Sequence, residues 1–350
     1  MSKFRIPPIP RNRLLAGLAL SLAIGGWGLW WWMAGQILQQ SIGAQFDQER
    51  RHGATVSLGE MSLSGFPFRV RCTVTDFAIS RRDGSGWKGP GLTIEAPLWR
   101  VNLLSFGLLG RHEVRLPAET GFVPLIIGGG EGSVTLGGAS GFTEARLNLS
   151  DIAASPPNEE RAARLALFIT APVRLPATRT ETAFTVVLSL DKMHVPLAGE
   201  LPFGADIESL RLNTKLLGSA PANIDGASLA AWTREGGSLS LDSGSRLRWG
   251  PLGLDVTGPL GLDRDLRPVG TLAAEMSGYG RAIDLLAKTG WIKDKQGQTA
   301  KAVLNAMALR TEGGKLPAEP VVRLPVVMHG GYLHFGPFRL FQLPALATPP

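Results

Sequence analysis

Chemistry-bearing residues are scarce in this chain. It has one cysteine, Cys72, in 350 residues, which excludes an intramolecular disulfide, a CxxC redox pair and every cysteine-based zinc site. The five histidines form no ligand pattern: His112-Glu113 opens no HExxH, and His329 and His334 lie five apart, a spacing that suits neither a helix face nor a strand face. No GxSxG elbow occurs, because Gly137-Gly138-Ala139-Ser140-Gly141 has its serine one place late. The glycine cluster 128–132 provides no GxGxxG, and no phosphate-cradling GxxxxGK is present. Asp263 and Asp265 fall in a turn-like stretch, where aspartate is expected to bond its own backbone. The sequence therefore gives no enzyme signal, and no cofactor is expected.

Long uncharged runs are absent as well, with one exception. Leu14 to Met33 is twenty residues without a charge, enough as a helix to cross the roughly 30 Å hydrocarbon core of a bilayer. Leu14, Leu18 and Leu22 supply its apolar body, and Trp30, Trp31 and Trp32 sit at its far end, where indole rings favour the headgroup interface. Lys3, Arg5, Arg11 and Arg13 precede it with no acid among them, which places the N-terminus in the cytoplasm by the positive-inside rule. This reads as an uncleaved signal anchor, because the run exceeds the roughly 7–15 residues of a secretory h-region. A signal peptide cleaved near Ile42-Gly43-Ala44 is the competing reading.

The net charge of +7 points to nucleic acid only until it is divided along the chain. Without the four leading basic residues, positions 34–350 carry 32 basic against 29 acidic side chains. That body is nearly neutral, so no nucleic-acid partner is expected.

Glycine and proline, at 44 and 25 residues, are far above ordinary usage. They punctuate period-two runs. Phe68, Val70, Cys72 and Val74 alternate with Arg69, Arg71, Thr73 and Thr75; Leu92, Ile94, Ala96 and Leu98 alternate again. Comparable runs lie at 146–149, 165–169, 184–190, 210–213 and 239–241. The pattern predicts a mainly β fold, an N-terminal transmembrane helix followed by a curved, mostly antiparallel sheet, open as a groove, with helices covering it near 222–233, 281–288 and 299–310. The expected organisation is a basic tail (1–13), an anchor (14–33), a helical stalk (34–53) and a β-rich body (54–350), with a weak subdivision near 153–160. Leu247–Leu254 echoes Leu333–Leu340 as strand, Gly-Pro turn, strand; convergence of β-hairpins explains that echo equally well.

An apolar sheet face needs helices, a second sheet or a ligand against it. Phe68, Val70, Leu92, Ile94, Leu239, Leu241, Trp249 and Leu254 are the candidate lining of an acyl-chain groove, with a filled core as the alternative. Arg69 and Arg71 are candidate headgroup contacts, and a solvated outer face is the alternative for them.

Several motifs carry a resemblance. Ser64-Gly65-Phe66-Pro67-Phe68-Arg69-Val70 follows the apolar run, and Trp87 precedes the strand at Leu92. Further on come Trp232 with Gly236-Gly237-Ser238-Leu239, then Trp249-Gly250-Pro251-Leu252 and Leu262-Asp263. Arg267-Pro268-Val269-Gly270 and the ending from Gly331-Tyr332 to Gly336-Pro337 complete the set. Together they resemble the bacterial domain-of-unknown-function family 2125, over essentially the whole chain. The strand–Gly-Pro–strand pattern is similar to envelope proteins of the AsmA type. That resemblance implies an inner-membrane anchor, a β-rich periplasmic groove and a part in phospholipid movement or envelope integrity. The expected partners are the inner membrane, a phospholipid or other acyl-chain ligand, and other envelope proteins. A structural or partner-docking protein with a dry core is the alternative, and an envelope hydrolase is third.

Overall fold

The computed structural model describes residues 11–118, 121–154, 161–194, 203–221, 226–308, 320–335, 338–343 and 345–347. The side chains of Arg11, Arg13, Leu14 and Leu18, and all of Lys3 and Arg5, lie outside the described residues, as does most of the 153–160 stretch. The fold is mainly β, with 53% of the described residues in strands.

The chain opens with helix α1 (Arg11–Arg51), followed by β1 (Thr55–Ser57), β2 (Met61–Ser64), β3 (Arg69–Ser80), β4 (Gly86–Pro97), β5 (Leu103–Leu109) and β6 (His112–Ala118). The middle contains β7 (Gly121–Leu136), β8 (Phe142–Ala154), β9 (Arg161–Thr170), β10 (Thr182–His194) and β11 (Asp206–Leu217). Then come α2 (Gly226–Arg234), β12 (Ser238–Trp249), β13 (Leu252–Leu262), β14 (Pro268–Ser277), α3 (Tyr279–Lys288), α4 (Asp294–Met307), β15 (Val321–His329), β16 (Tyr332–Phe335) and β17 (Phe338–Gln342). Among the described residues the strands form a 17-stranded sheet, and every ladder in it is antiparallel, as glycine-rich meanders favour. β1 and β2 both pair with β3, while β5 and β6 both lie between β4 and β7. From β7 onward each strand pairs with its successor through to β17.

Helix α1 is continuous from the apolar run into the segment expected as a stalk. Its second half lies along β3: Ile42 and Phe46 are buried with Cys72, Val74, Phe77 and Leu92. Gly35 makes the close approach, since a Cβ there would meet Leu63 at 3.0 Å. The helix stops at Gly53, whose φ of 86° favours glycine. The Arg81 guanidinium bonds both Glu49 oxygens at 2.9 Å and ties this end to β3. Among the described residues no helix is long and apolar enough to cross a membrane.

The C-terminal helices cover the other flank. Tyr279, Ile283, Ala308 and Val322 form one buried cluster, and the Tyr279 hydroxyl donates to Asn305 Oδ1 at 2.8 Å. The sequence reads Lys293–Gly297 as the divider between two helices, yet α4 begins at Asp294 and runs through Gly297. A Cβ at that glycine would sit 3.3 Å from Ile283 Cγ2, so it is the point where α3 and α4 touch. The hairpin β12–β13 turns at Gly250-Pro251, as expected, with Trp249 opposite Leu252.

Candidate functional site

Antiparallel partners project from the same face, so the registers show which side chains share a surface. One lane runs Leu147, Leu167, Leu188, Leu212 from β8 to β11. A second runs Leu149, Leu165, Leu190, Leu210 and continues through Leu247, Leu254 and Met276 to Val322 on β15. The opposite face is polar. There Arg246 Nε pairs with Asp255 at 2.6 Å, Arg323 with Glu275 at 2.7 Å and Lys215 with Asp242 at 2.6 Å, while the Arg146 guanidinium stacks 4.9 Å from the Phe168 ring centre. The sheet thus has one apolar and one charged side for most of its width.

Covering of the apolar side is uneven. On one flank α1 closes it over β3, β4 and β5. On the other, α2 packs on Leu239 and Leu262 through Leu229 and Trp232, and α3 with α4 closes over β15. Leu241, Leu272, Ala274 and Val326 form a buried cluster between those elements. Among the described residues none of the four buried clusters reaches β7, β8, β9 or β10, and the only β11 member is Leu216 at its end. The leucines of both lanes on β8–β11 are half-buried. They form a stripe of branched aliphatic side chains about 14 Å wide across four strands, at the usual ~4.8 Å spacing.

The residues singled out from sequence are not gathered at one site. Val70 and Leu92 are buried under α1, and Ile94 packs on the same cluster. Leu239 belongs to the α2 cluster; Leu241 and Leu254 belong to the cluster beneath β12–β16. Trp249 is half-buried, donating its Nε1–H to the Gly204 carbonyl at 2.9 Å with its ring edge-on to Phe203. Phe68 lies in the turn before β3, 62% exposed and edge-on to Trp99 at 6.4 Å. Arg69 and Arg71 project from the face opposite Val70. Arg71 donates to Glu95 at 2.9 Å, and Arg69 lies 3.6 Å from the same carboxylate. Of the anchor residues with described side chains, Leu22, Trp30 and Trp32 are exposed, while Trp31 donates to the Arg69 carbonyl at 2.7 Å.

The sequence reading missed the leucines of β8–β11 as a site, although it found those strands. The signal was the alternation itself; what covers it depends on where α1 and α2–α4 dock.

Other chemistry is sparse. A cavity of about 610 Å³ is lined by Asp76, Phe77, Lys88, Gly89, Pro90, Arg111, His112, Glu113 and Ile126. Its charges are partly committed, Lys88 to Glu113 at 2.7 Å. His112 is fully buried and accepts the Trp87 Nε1–H at Nδ1, so its proton sits on Nε2. Burial pushes its pKa below the ordinary value, against weaker opposing pulls from the Leu109 and Gly91 backbone. Burial likewise pushes the Cys72 thiol up, which keeps it protonated and unreactive. Among the described residues no three His, Cys, Asp or Glu side chains converge to hold a metal.

Comparison with curated proteins and with solved structures gives no match. The bacterial family described as "Uncharacterized protein conserved in bacteria (DUF2125)" matches over residues 30–344, which takes in the end of the apolar run, α1's packed half and nearly the whole sheet, and the chain belongs to that family.

Proposed function

We propose that this is a membrane-anchored protein of the bacterial envelope that carries an acyl chain of a phospholipid on the apolar side of a curved, open sheet. The observation that carries the reading is the half-buried leucine stripe on β8–β11, which among the described residues no buried cluster covers, flanked on both sides by regions that helices cover. Apolar area of this kind is stabilised when it leaves water, by about 25 cal/mol per Å², and an acyl chain offers a partner of matching chemistry. The mechanism is passive. Leucine side chains shield methylenes, and the headgroup stays at the edge in water.

The anchor reading is supported by α1. Its side chains at Leu22, Ile24, Leu29, Trp30, Trp32 and Met33 are exposed all round the helix, a pattern suited to lipid and costly in water. The basic residues ahead of the run favour a cytoplasmic N-terminus in the inner membrane and a periplasmic body. Resemblance to AsmA-type envelope proteins points the same way.

The test compares lipid bound to the purified full chain and to its Leu188→Glu variant by mass spectrometry after gentle extraction. Both retain lipid around α1, and the wild type is expected to carry additional phospholipid that the variant lacks. Equal lipid content would overturn the proposal. Co-purification of another envelope protein, lost in the same variant with lipid unchanged, would favour a docking surface instead.

A further inference from the structure

The end of the sheet where β3 begins is unusually apolar. Four turns lie there side by side: 65–68 before β3, 98–102 between β4 and β5, 137–141 between β7 and β8, and 171–181 between β9 and β10. Backbone hydrogen bonds join them in a row. Leu98 donates to the Phe68 carbonyl at 3.1 Å, Leu136 to Asn102 at 2.7 Å, and Ala139 to Val173 at 3.0 Å. Such turns ordinarily present glycine and polar residues to water. Here three of the four present Phe66, Phe68, Trp99, Val101, Val173 and Leu175, with Trp99 and Val173 each 70% exposed, while 137–141 between them is Gly-Gly-Ala-Ser-Gly. One exposed apolar residue on a surface is ordinary; six of them on three turns along one end of a sheet are a contact surface. Exposed Arg100 and Arg174 stand within the same turns.

Helix α1 fixes where this row sits. Trp27 donates its Nε1–H to the Pro67 carbonyl at 2.8 Å, Trp31 donates to Arg69 at 2.7 Å, and Phe66 meets the Trp31 ring edge-on at 5.7 Å. These tryptophans belong to the last two turns of the run that ends at Met33. The first turn of the row is therefore held about 3–9 Å inside the end of the apolar segment, between the levels of Trp31 and Trp27, from the 1.5 Å helical rise. Indole and phenyl rings with guanidinium neighbours suit that depth, where acyl chains give way to phosphates.

We propose that this row of four turns is a second membrane contact, seated in the phospholipid headgroup interface. It extends sideways from the anchor by about 24 Å, five strand spacings, and so fixes the tilt of the sheet on the bilayer. The half-buried stripe on β8–β11 then opens at the β9–β10 turn directly onto the membrane from which an acyl chain would enter. The proposal rests on the anchor reading for its depth, while the surface chemistry of the turns stands apart from it.

The experiment places one spin label at a time on the full chain in phosphatidylethanolamine–phosphatidylglycerol vesicles, using Trp99→Cys, Val173→Cys, Phe122→Cys and Leu22→Cys. Phe122 is exposed at the opposite end of the sheet. Each label is carried in a Cys72→Ala chain and repeated with the fully buried Cys72 retained. The ratio of oxygen to aqueous nickel accessibility is expected to be several-fold higher at 99 and 173 than at 122. Ratios at 99 and 173 equal to that at 122 would overturn the proposal. The label at 22 reads the anchor separately. An aqueous 22 with immersed 99 and 173 sinks the anchor and keeps the second contact; an immersed 22 with aqueous 99 and 173 does the reverse.

Discussion

His112 shows how a single side chain in this sheet can be held in one protonation state. Its ring fits beside Phe77 and Trp87 because position 89 is glycine; a Cβ there would overlap the imidazole. The folded chain binds a proton at His112 less readily than the unfolded chain, whose value is the ordinary 6.5. Stability from this site is therefore complete above that value and falls as the pH drops below it towards the lowered folded value. Urea unfolding at pH 7.5 and pH 5.5 should show this loss, and His112→Leu should remove the pH-dependent part. Gly89→Ala should destabilise the chain at both pH values. A second residue-scale feature is the left-handed backbone at Asp76, Asp151 and Lys192, with φ of 43°, 51° and 51°. At each one the ladder skips a pair without shifting register, and the apolar residues of the sequence slip in phase, from Val74 to Phe77, from Leu149 to Ile152 and from Leu190 to Met193; Val74 and Phe77 lie in one buried cluster. Lysine carries no special tolerance for this conformation, so Lys192→Val should cost about 1–2 kcal/mol in chemical denaturation. These slips also explain why period-two runs looked short in the sequence. The run ended where the phase changed, while the strand continued.

At the scale of elements, α1 contributes twice: one half presents apolar residues outward and the other completes the core over β3. Its glycines differ accordingly. Gly43 has open space around it, so Gly43→Ala should raise stability by roughly 1 kcal/mol through helix propensity alone. Gly35 faces Leu63 and Val70, so Gly35→Leu should separate helix from sheet and lower the melting temperature in detergent. Helix continuity was legible from the spacing of Ile37, Leu38, Ile42 and Phe46. That Ile42 and Phe46 close the sheet instead of forming a free stalk was not, because a helical stripe does not name the surface it meets. The same ambiguity scattered the candidate lining. Leu92 and Leu188 read identically as strand leucines, yet Leu92 is buried under α1 and Leu188 is half-buried with no cluster against it. Leu92→Ala should cost about 2–5 kcal/mol, and Leu188→Ala clearly less, in the same urea titration.

For the whole molecule, the alternation, the glycines and the Gly-Pro turns were enough to read a mainly β, antiparallel architecture. Its extent follows from the ladder, which carries one apolar side from β3 to β15 across lanes such as Leu149 to Val322. Among the described residues, the division of that side into covered flanks and a half-buried centre is set by three docking events far apart in sequence, so no local pattern encodes it. The central claim is that this half-buried centre meets lipid. It is tested most directly by a benzophenone side chain placed at Leu188, and in a separate chain at Ser189, which projects from the polar face of the same strand. After irradiation in native membranes, the adduct at position 188 should be phospholipid and position 189 should give none. Equal lipid labelling at both positions, or only protein adducts at 188, would contradict the account.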